Sequence, residues 1–498
     1  MSKRKGNLVI VSNRLPVRIA RVGKKLKLVS GSGGLVTALA PVLRDRGGIW
    51  IGWDGDKSSQ SHTELFKKES IKIGYSLRPI TLTSQEVEHY YEGFSNATLW
   101  PLFHDFLDHC QFQPENWDMY CKVNRKFAEA IIKNSGKDDL IWVHDYHLLL
   151  VGKYLTGLGV KRDLAFFNHI PFPSWDLFMR LPWREEIIEG ILHYDLAGFQ
   201  TERDRWNFIR CLRRVFPSVI IKGPKRYQLV ELNERVTRVG AFPISIDFKG
   251  FNQLASSKEV ADESWCIHER LPDRKLVLGV DRLDYTKGIL ERLNAFEVLL
   301  EKYPDLHERI NLIQVVVPSR TIVSEYQEMK RTIDETVGRI NGRFTYHDWV
   351  PIHYIFRSLS RPELVAYYRT CEIALVTPLK DGMNLIAKEY CACKVETNGV
   401  LILSEFAGAA QQLGKSSLLV NPFHCEEVAE QIYRAYHMEE GEQKKKMRRL
   451  RATVRRNNIF SWLEQFLSAV GMPLPKPHTI TTNSPLSSKT RIRVGRKR

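Results

Sequence analysis

A chain of 498 residues, 43% hydrophobic and 26% charged, with 31 glycines and 22 prolines, has the make-up of a protein of two or three packed domains. It excludes a disordered, a collagen-like and a disulfide-stapled chain. The formal charge of +17 is concentrated in two places, eight basic residues without an acid at 444–456 and six more at 489–498; neither is interleaved with aromatics for base stacking, so no specific nucleic-acid partner is expected.

In chain order, the first apolar run, 8–11, follows Lys3, Arg4 and Lys5 but is broken by Ser12, Asn13 and Arg14. It is too short for a secretory leader and reads as a buried strand. Further aliphatic runs at 49–53, 140–143, 164–167, 276–280, 312–317, 373–377 and 400–404 alternate with longer amphipathic stretches. Near-continuous apolar runs separated by helices predict parallel α/β sheets. Between Phe242 and Pro272 the pattern weakens, then restarts, which divides the chain into an N-terminal Rossmann-like unit, 1–243, and a C-terminal one, 244–458. The spacing of Phe460, Trp462, Leu463, Phe466 and Leu467 predicts a closing helix over 459–473, and 474–498 reads as a basic flexible tail. The basic 444–456 segment reads as a solvated helix face. No apolar stretch approaches the roughly 20 residues of a membrane helix, so no membrane contact is expected. Eight scattered cysteines fit reduced thiols in a cytoplasmic protein.

Two facing sheets create a cleft at the carboxyl ends of their strands, and polar residues cluster there. Arg14 lies just beyond the first strand, and after a basic excursion Gly33 and Gly34 open a helical run, as an anion-binding turn or simply a tight connection. The run 140–143 leads into His144, Asp145 and His147, and 164–167 leads into His169. Their i, i+3 histidines have no third ligand, so polyol hydrogen bonding is the better reading than metal. Arg282 and Lys287 sit five residues apart after 276–280, suited to clamp a diphosphate. Arg320 follows 312–317. After 373–377 comes Asp381, with Met383, Asn384 and Leu385 at a glycine turn and helix start; Glu389 lies a turn further on, placed to accept from ribose hydroxyls. Each loop alone could be a solvated salt-bridge cluster, but three at successive strand exits favour an anion site. Trp50, Trp53, Tyr91 and Trp100 fit either core aromatics or sugar-stacking walls. Cys391 and Cys393 lack a C-x-x-C spacing and read as buried thiols.

Taken together, Ser12-Asn13-Arg14, Gly33-Gly34, Trp142 through Leu148, His169 through Pro173, Arg282 through Gly288, Asp381 through Leu385 with Ala387 through Tyr390, and Ser404 through Ala409 resemble the trehalose-6-phosphate synthase family, in order from about Leu8 to Phe466. The resemblance implies a two-Rossmann GT-B fold whose C-terminal helix packs back on the N-terminal domain. It implies a metal-independent retaining glucosyltransferase without cofactor, taking a nucleoside-diphosphate glucose, expected to be UDP-glucose, and glucose 6-phosphate. By position, Arg14, Tyr91, Trp100, Asp145 and Arg320 are similar to acceptor-site residues. Gly33, Gly34, Arg282, Lys287, Met383, Asn384, Leu385 and Glu389 are similar to donor-site residues. Arg282, Lys287, Asp381 and His169 match the catalytic positions. The insertion between Arg14 and Gly31 is treated as peripheral. A homo-oligomer stays open, and the product is expected to pass to a separate phosphatase. Two rivals stand beside this: a synthase of another glucoside phosphate, such as glucosylglycerol phosphate, and a non-catalytic sugar-phosphate sensor.

Overall fold

The computed structural model of the protein describes residues 6–22, 25–30, 34–55, 62–223, 227–319 and 324–472. The strands are Leu8–Arg14 (β1), Val17–Val22 (β2), Lys25–Ser30 (β3), Gly48–Trp53 (β4), Ser76–Ile80 (β5), Leu140–His144 (β6), Leu164–Phe167 (β7), Leu196–Phe199 (β8), Ile220–Lys222 (β9), Tyr227–Leu232 (β10) and Arg235–Ala241 (β11). They continue with Lys275–Arg282 (β12), Ile310–Val317 (β13), Ile352–Ile355 (β14), Ile373–Val376 (β15), Val400–Ser404 (β16) and Leu418–Val420 (β17). All eight predicted runs are strands. Among the described residues, β5-β4-β1-β6-β7-β8-β11-β10-β9 form one sheet and β14-β13-β12-β15-β16-β17 a second. Both contain the doubly wound order in which the first strand lies between the second and the fourth.

The apolar runs are strands because both of their faces are covered. Val9, Ile10 and Val11 of β1 are fully buried, as are Ile141, Trp142 and Val143 beside them in parallel register. The mixed segment 242–272 holds two helices, Phe248–Ala255 and Lys258–Arg270, both N-capped by side chains, Asp247 and Ser257. Their apolar residues are too sparse for a strand pattern to emerge.

The closing helix, Ile459–Val470, is capped by Asn458, whose Oδ1 accepts from the Phe460 and Ser461 amides at 2.9 and 3.1 Å. Its buried stripe, Ile459, Trp462, Leu463, Phe466, Leu467 and Val470, docks on the first sheet: Phe466 stacks on Trp142 with centroids 4.3 Å apart, and Trp462 Nε1 donates to the Phe242 carbonyl at 3.0 Å. The chain therefore leaves the second sheet, and its closing helix packs on the first.

Two expectations change. The basic insertion is not peripheral: it forms the β2–β3 hairpin, and Val17 and Arg18 line the central cavity. The basic helix, Glu440–Arg456, is not solvated all round. Arg451 is buried and donates to the Cys391 and Ala392 carbonyls at 2.9 and 2.7 Å, because it caps the C-terminal end of the helix Leu385–Cys393. All eight cysteines are unpaired. Among the described residues no helix is long and apolar enough to cross a membrane.

Candidate active site

Strand order reverses at β1 in the first sheet and at β12 in the second, and crevices for ligands open at the carboxyl ends of such strands. Arg14 ends β1 and Arg282 ends β12. Both line one cavity of about 590 Å³, together with Trp53, Tyr91, Trp100 and Asp145 from the first unit and Ser358 from the second. Residues 268 positions apart in the chain thus share one space because each terminates the first strand of its own doubly wound sheet.

The end of β1 is irregular. Its register against β4 shifts between Val11 and Arg14, and local hydrogen bonds hold the bend: Trp50 Nε1 donates to Ser12 Oγ at 2.8 Å, Ser12 Oγ to the Arg14 carbonyl at 2.7 Å, and Tyr90 OH to Asn13 Oδ1 at 2.9 Å. The bend lays the Arg14 guanidinium over Trp53, 4.3 Å from its centroid, and 5.4 Å from that of Tyr91. The tryptophans left open between core and wall are both: Trp50 and Trp53 are 1% exposed and line the cavity. Stacking orients the planar cation while leaving its N–H groups for an anion.

Asp145 follows β6 with φ of 76°, a conformation costly for a non-glycine residue. It turns Oδ1 back to accept from the Tyr146 and His169 amides at 3.0 and 3.2 Å. Burial pushes its carboxyl up to about 6, against those two bonds and the Arg282 charge. His144 Nδ1 lies 3.1 Å from His169 Nε2, and burial pushes both imidazoles down, His169 to about 3. Burial therefore favours the neutral form of both rings.

On the other side, Arg282 pairs with Asp284 at 2.9 Å and lies 4.8 Å over the Trp100 ring. Lys287 Nζ bonds Asp381 Oδ2 at 2.7 Å; Asn384 Nδ2 donates to that oxygen at 3.2 Å and the Met383 amide to Oδ1 at 3.3 Å. Burial alone would raise the Asp381 carboxyl, but the Lys287 charge and hydrogen bond hold it below its usual value. Asn384, at φ 71°, caps the helix Leu385–Cys393 by accepting from the Ala387 amide at 3.3 Å. The first-turn amides point out from that helix end toward whatever anion sits there. Glu389 accepts from Tyr368 OH at 2.9 Å and its carboxyl is raised by burial.

The two halves abut at Gly382. A Cβ there would stand 2.4 Å from the His169 carbonyl oxygen, so only glycine lets the Asp381 loop reach the His169 turn. Lys380 bridges to Asp105 at 2.5 Å nearby. Gly34 begins the helix Gly34–Arg46, whereas Gly33 and Arg320 lie outside the described residues. Sequence reasoning missed two side chains that support the site. His104 packs at a tilt against Trp100, with centroids 4.1 Å apart and its Nδ1 2.7 Å from the Trp100 carbonyl oxygen. Burial, then the Lys287 charge, pushes it down to about 3, so it stays neutral. Arg292, 1% exposed, pairs with Asp281 and donates to Thr377, Gln314 and the Lys287 carbonyl, tying the exits of β12 and β15 together. No local spacing signals either one.

Residues 6–471 match the family model described as glycosyltransferase family 20. The chain belongs to glycosyltransferase family 20. This family-20 chain is 42% identical over 475 residues to the trehalose-6-phosphate synthase of Mycolicibacterium vanbaalenii, covering 94% of this chain and 96% of that one. Among solved structures it is similar to a UDP-forming α,α-trehalose-phosphate synthase from Burkholderia xenovorans in complex with glucose-6-phosphate, with TM-score 0.84 and 35% identity over 94% of this chain and all of that one. It is likewise similar to an E. coli structure bound with UDP-2-fluoro glucose, at TM-score 0.83 and 34% identity over 94% of this chain and all of that one. The fold of this family-20 glycosyltransferase is GT-B, two parallel-sheet α/β units.

Proposed function

We propose that this chain moves glucose, with retention, from UDP-glucose to glucose 6-phosphate and releases α,α-trehalose 6-phosphate and UDP. The observation that carries the reading is the shared cavity: Arg14 at the end of one first strand and Arg282 at the end of the other face the same space. The lobe 1–243 offers the acceptor phosphate a stacked guanidinium and the acceptor hydroxyls Asp145. The lobe 244–458 offers the donor diphosphate Arg282, Lys287 and the helix start at Met383, Asn384 and Leu385, and offers its ribose Glu389. The segment 459–473 fastens the second lobe to the first. Family relatives whose structures hold glucose-6-phosphate and UDP-2-fluoro glucose support the two substrates.

In the reaction the bond from the anomeric carbon to the diphosphate oxygen breaks, and the acceptor's anomeric hydroxyl oxygen bonds to that carbon on the same face. Its proton passes to the departing diphosphate. The chain's part is to hold both sugars at bonding distance and to stabilise charge on the leaving group with Arg282 and Lys287. Asp381, oriented by Lys287, Asn384 and the Met383 amide, receives donor glucose hydroxyls. Neutral His169 shapes the floor on which the two rings meet. The product keeps its phosphate, so a separate phosphatase is the class of enzyme that consumes it.

The test is a matrix of UDP-, ADP- and GDP-glucose against glucose 6-phosphate and glycerol 3-phosphate with purified protein. Fastest transfer from UDP-glucose to glucose 6-phosphate is expected. Preference for glycerol 3-phosphate would overturn the acceptor assignment, and binding of both substrates without turnover would favour a sensor.

A further inference from the structure

Three hydrogen bonds, two buried and the last partly buried, run from the donor helix to the floor of the acceptor cavity. Lys388, on the helix Leu385–Cys393, directs Nζ at the carbonyl oxygen of Ile244, 2.6 Å away, in the segment that joins the two sheets. The Ile244 amide in turn donates to Gln200 Oε1 at 3.0 Å, and Gln200 Nε2 donates to the His169 carbonyl oxygen at 3.4 Å. Lys388 and Gln200 are each 1% exposed and Ile244 is 3% exposed. One end of this relay is the residue before Glu389, on the helix that Asn384 caps. The other is the turn whose amide holds Asp145 and whose carbonyl oxygen Gly382 approaches.

A buried amine is a costly way to fill space that a methionine would fill, and burial pushes the Lys388 ammonium down to about 7. A buried glutamine that both accepts from one peptide and donates to another has a fixed orientation, since exchanging its oxygen and nitrogen would break both bonds. The two side chains therefore hold three backbone segments in one arrangement: the donor helix, the inter-sheet connection and the His169 turn.

On the transferase reading above, we propose that Lys388 and Gln200, acting through the Ile244 peptide, are positioning residues that couple occupancy of the nucleotide-sugar site to the geometry of the acceptor floor at His169 and Asp145. Nucleotide binding that settles the helix Leu385–Cys393 also settles Ile244, Gln200 and the His169 turn, so glucose 6-phosphate binds a preorganised floor.

The test uses the full chain and its Lys388→Met, Gln200→Leu and double variants. Calorimetry gives the affinity for UDP and for glucose 6-phosphate with and without saturating UDP, and kinetics give kcat and KM. UDP should tighten glucose 6-phosphate binding to the unaltered protein at least about fivefold, the low end of ordinary coupling between sites. In each single variant that enhancement should fall below about twofold while UDP affinity alone changes less than about threefold, and the double variant should be no worse than the poorer single, because a relay is broken once. Gln200→Glu keeps the acceptor for the Ile244 amide and removes the donor to His169, so it reads the last link even where Lys388→Met fails to fold; it too should lose the enhancement. Full enhancement in any of these variants, or a double loss equal to the product of the singles, overturns the relay. Failure of the unaltered protein to transfer glucose would overturn the transferase reading, and this inference with it.

Discussion

Replacing Lys287 by methionine tests the clamp most directly, because the structure predicts two losses that can be separated. Lys287 and Asp381 lie 2.7 Å apart with side chains only 12% and 15% exposed. At an effective dielectric near 20, unit charges at that distance attract by about 6 kcal/mol, part of which offsets the desolvation of both ions. Removing one partner of such a pair costs about 3–5 kcal/mol, since a buried carboxylate is left uncompensated. Catalysis loses a positive group aimed at the departing diphosphate, worth about 10²–10³ in kcat. In the unaltered protein the lowered Asp381 carboxyl contributes stability above its unfolded value that is lost as pH falls. In Lys287→Met burial prevails and raises that carboxyl, so the sign reverses: the variant is most stable in acid and loses stability as pH rises. Adding Asp381→Asn removes the orphaned charge. The double variant should regain most of the stability in urea unfolding at neutral pH yet remain as slow in UDP release as Lys287→Met. A kcat for Lys287→Met within threefold of the unaltered protein, or no recovery of stability in the double variant, would refute the reasoning.

Acceptor use should fall in acid: with Asp145 raised from 3.8 to about 6, kcat/KM for glucose 6-phosphate drops about tenfold per pH unit below about 6, and Asp145→Asn removes that limb of the profile. Because the folded state binds that proton more tightly than the unfolded one, ionised Asp145 costs stability that accrues as pH rises from 3.8 to about 6. Arg14→Ala removes a charge-assisted contact of about 1.5–3 kcal/mol, so KM for glucose 6-phosphate rises about 10- to 100-fold while UDP affinity measured by calorimetry stays put. Gly382→Ala places a methyl 2.4 Å from the His169 carbonyl oxygen; the two lobes must separate, at about 1–3 kcal/mol in thermal unfolding and with a larger loss in kcat than in UDP affinity. Trp462→Ala strips the closing helix of its contacts with Trp142, Phe167 and the Phe242 carbonyl and should cost about 3–5 kcal/mol in urea unfolding.

The long buried strands were legible because hydrophobicity alone marks a strand covered on both faces. The runs at 164–167 and 400–404 coincide with β7 and β16. β10 and β11 left no such mark: they are antiparallel, half-exposed and joined at Asn233 and Glu234, which take positive φ without a glycine to announce it. β8 is a four-residue strand carrying Gly198, where Phe466 and Phe167 take the space of a side chain.

The site divides in the same way. The type of group at each strand exit, Arg14, Asp145, Arg282, Lys287, Asp381 and the helix start at Asn384, was legible from the residues alone, because motif residues and strand ends are local properties of the chain. Which of these groups meet was decided only by the tertiary structure. Lys287 finds Asp381 94 residues away, His144 finds His169, and Lys388 reaches Gln200 through Ile244. These pairings depend on strand order and on how closely two sheets approach, and no period along one chain encodes either.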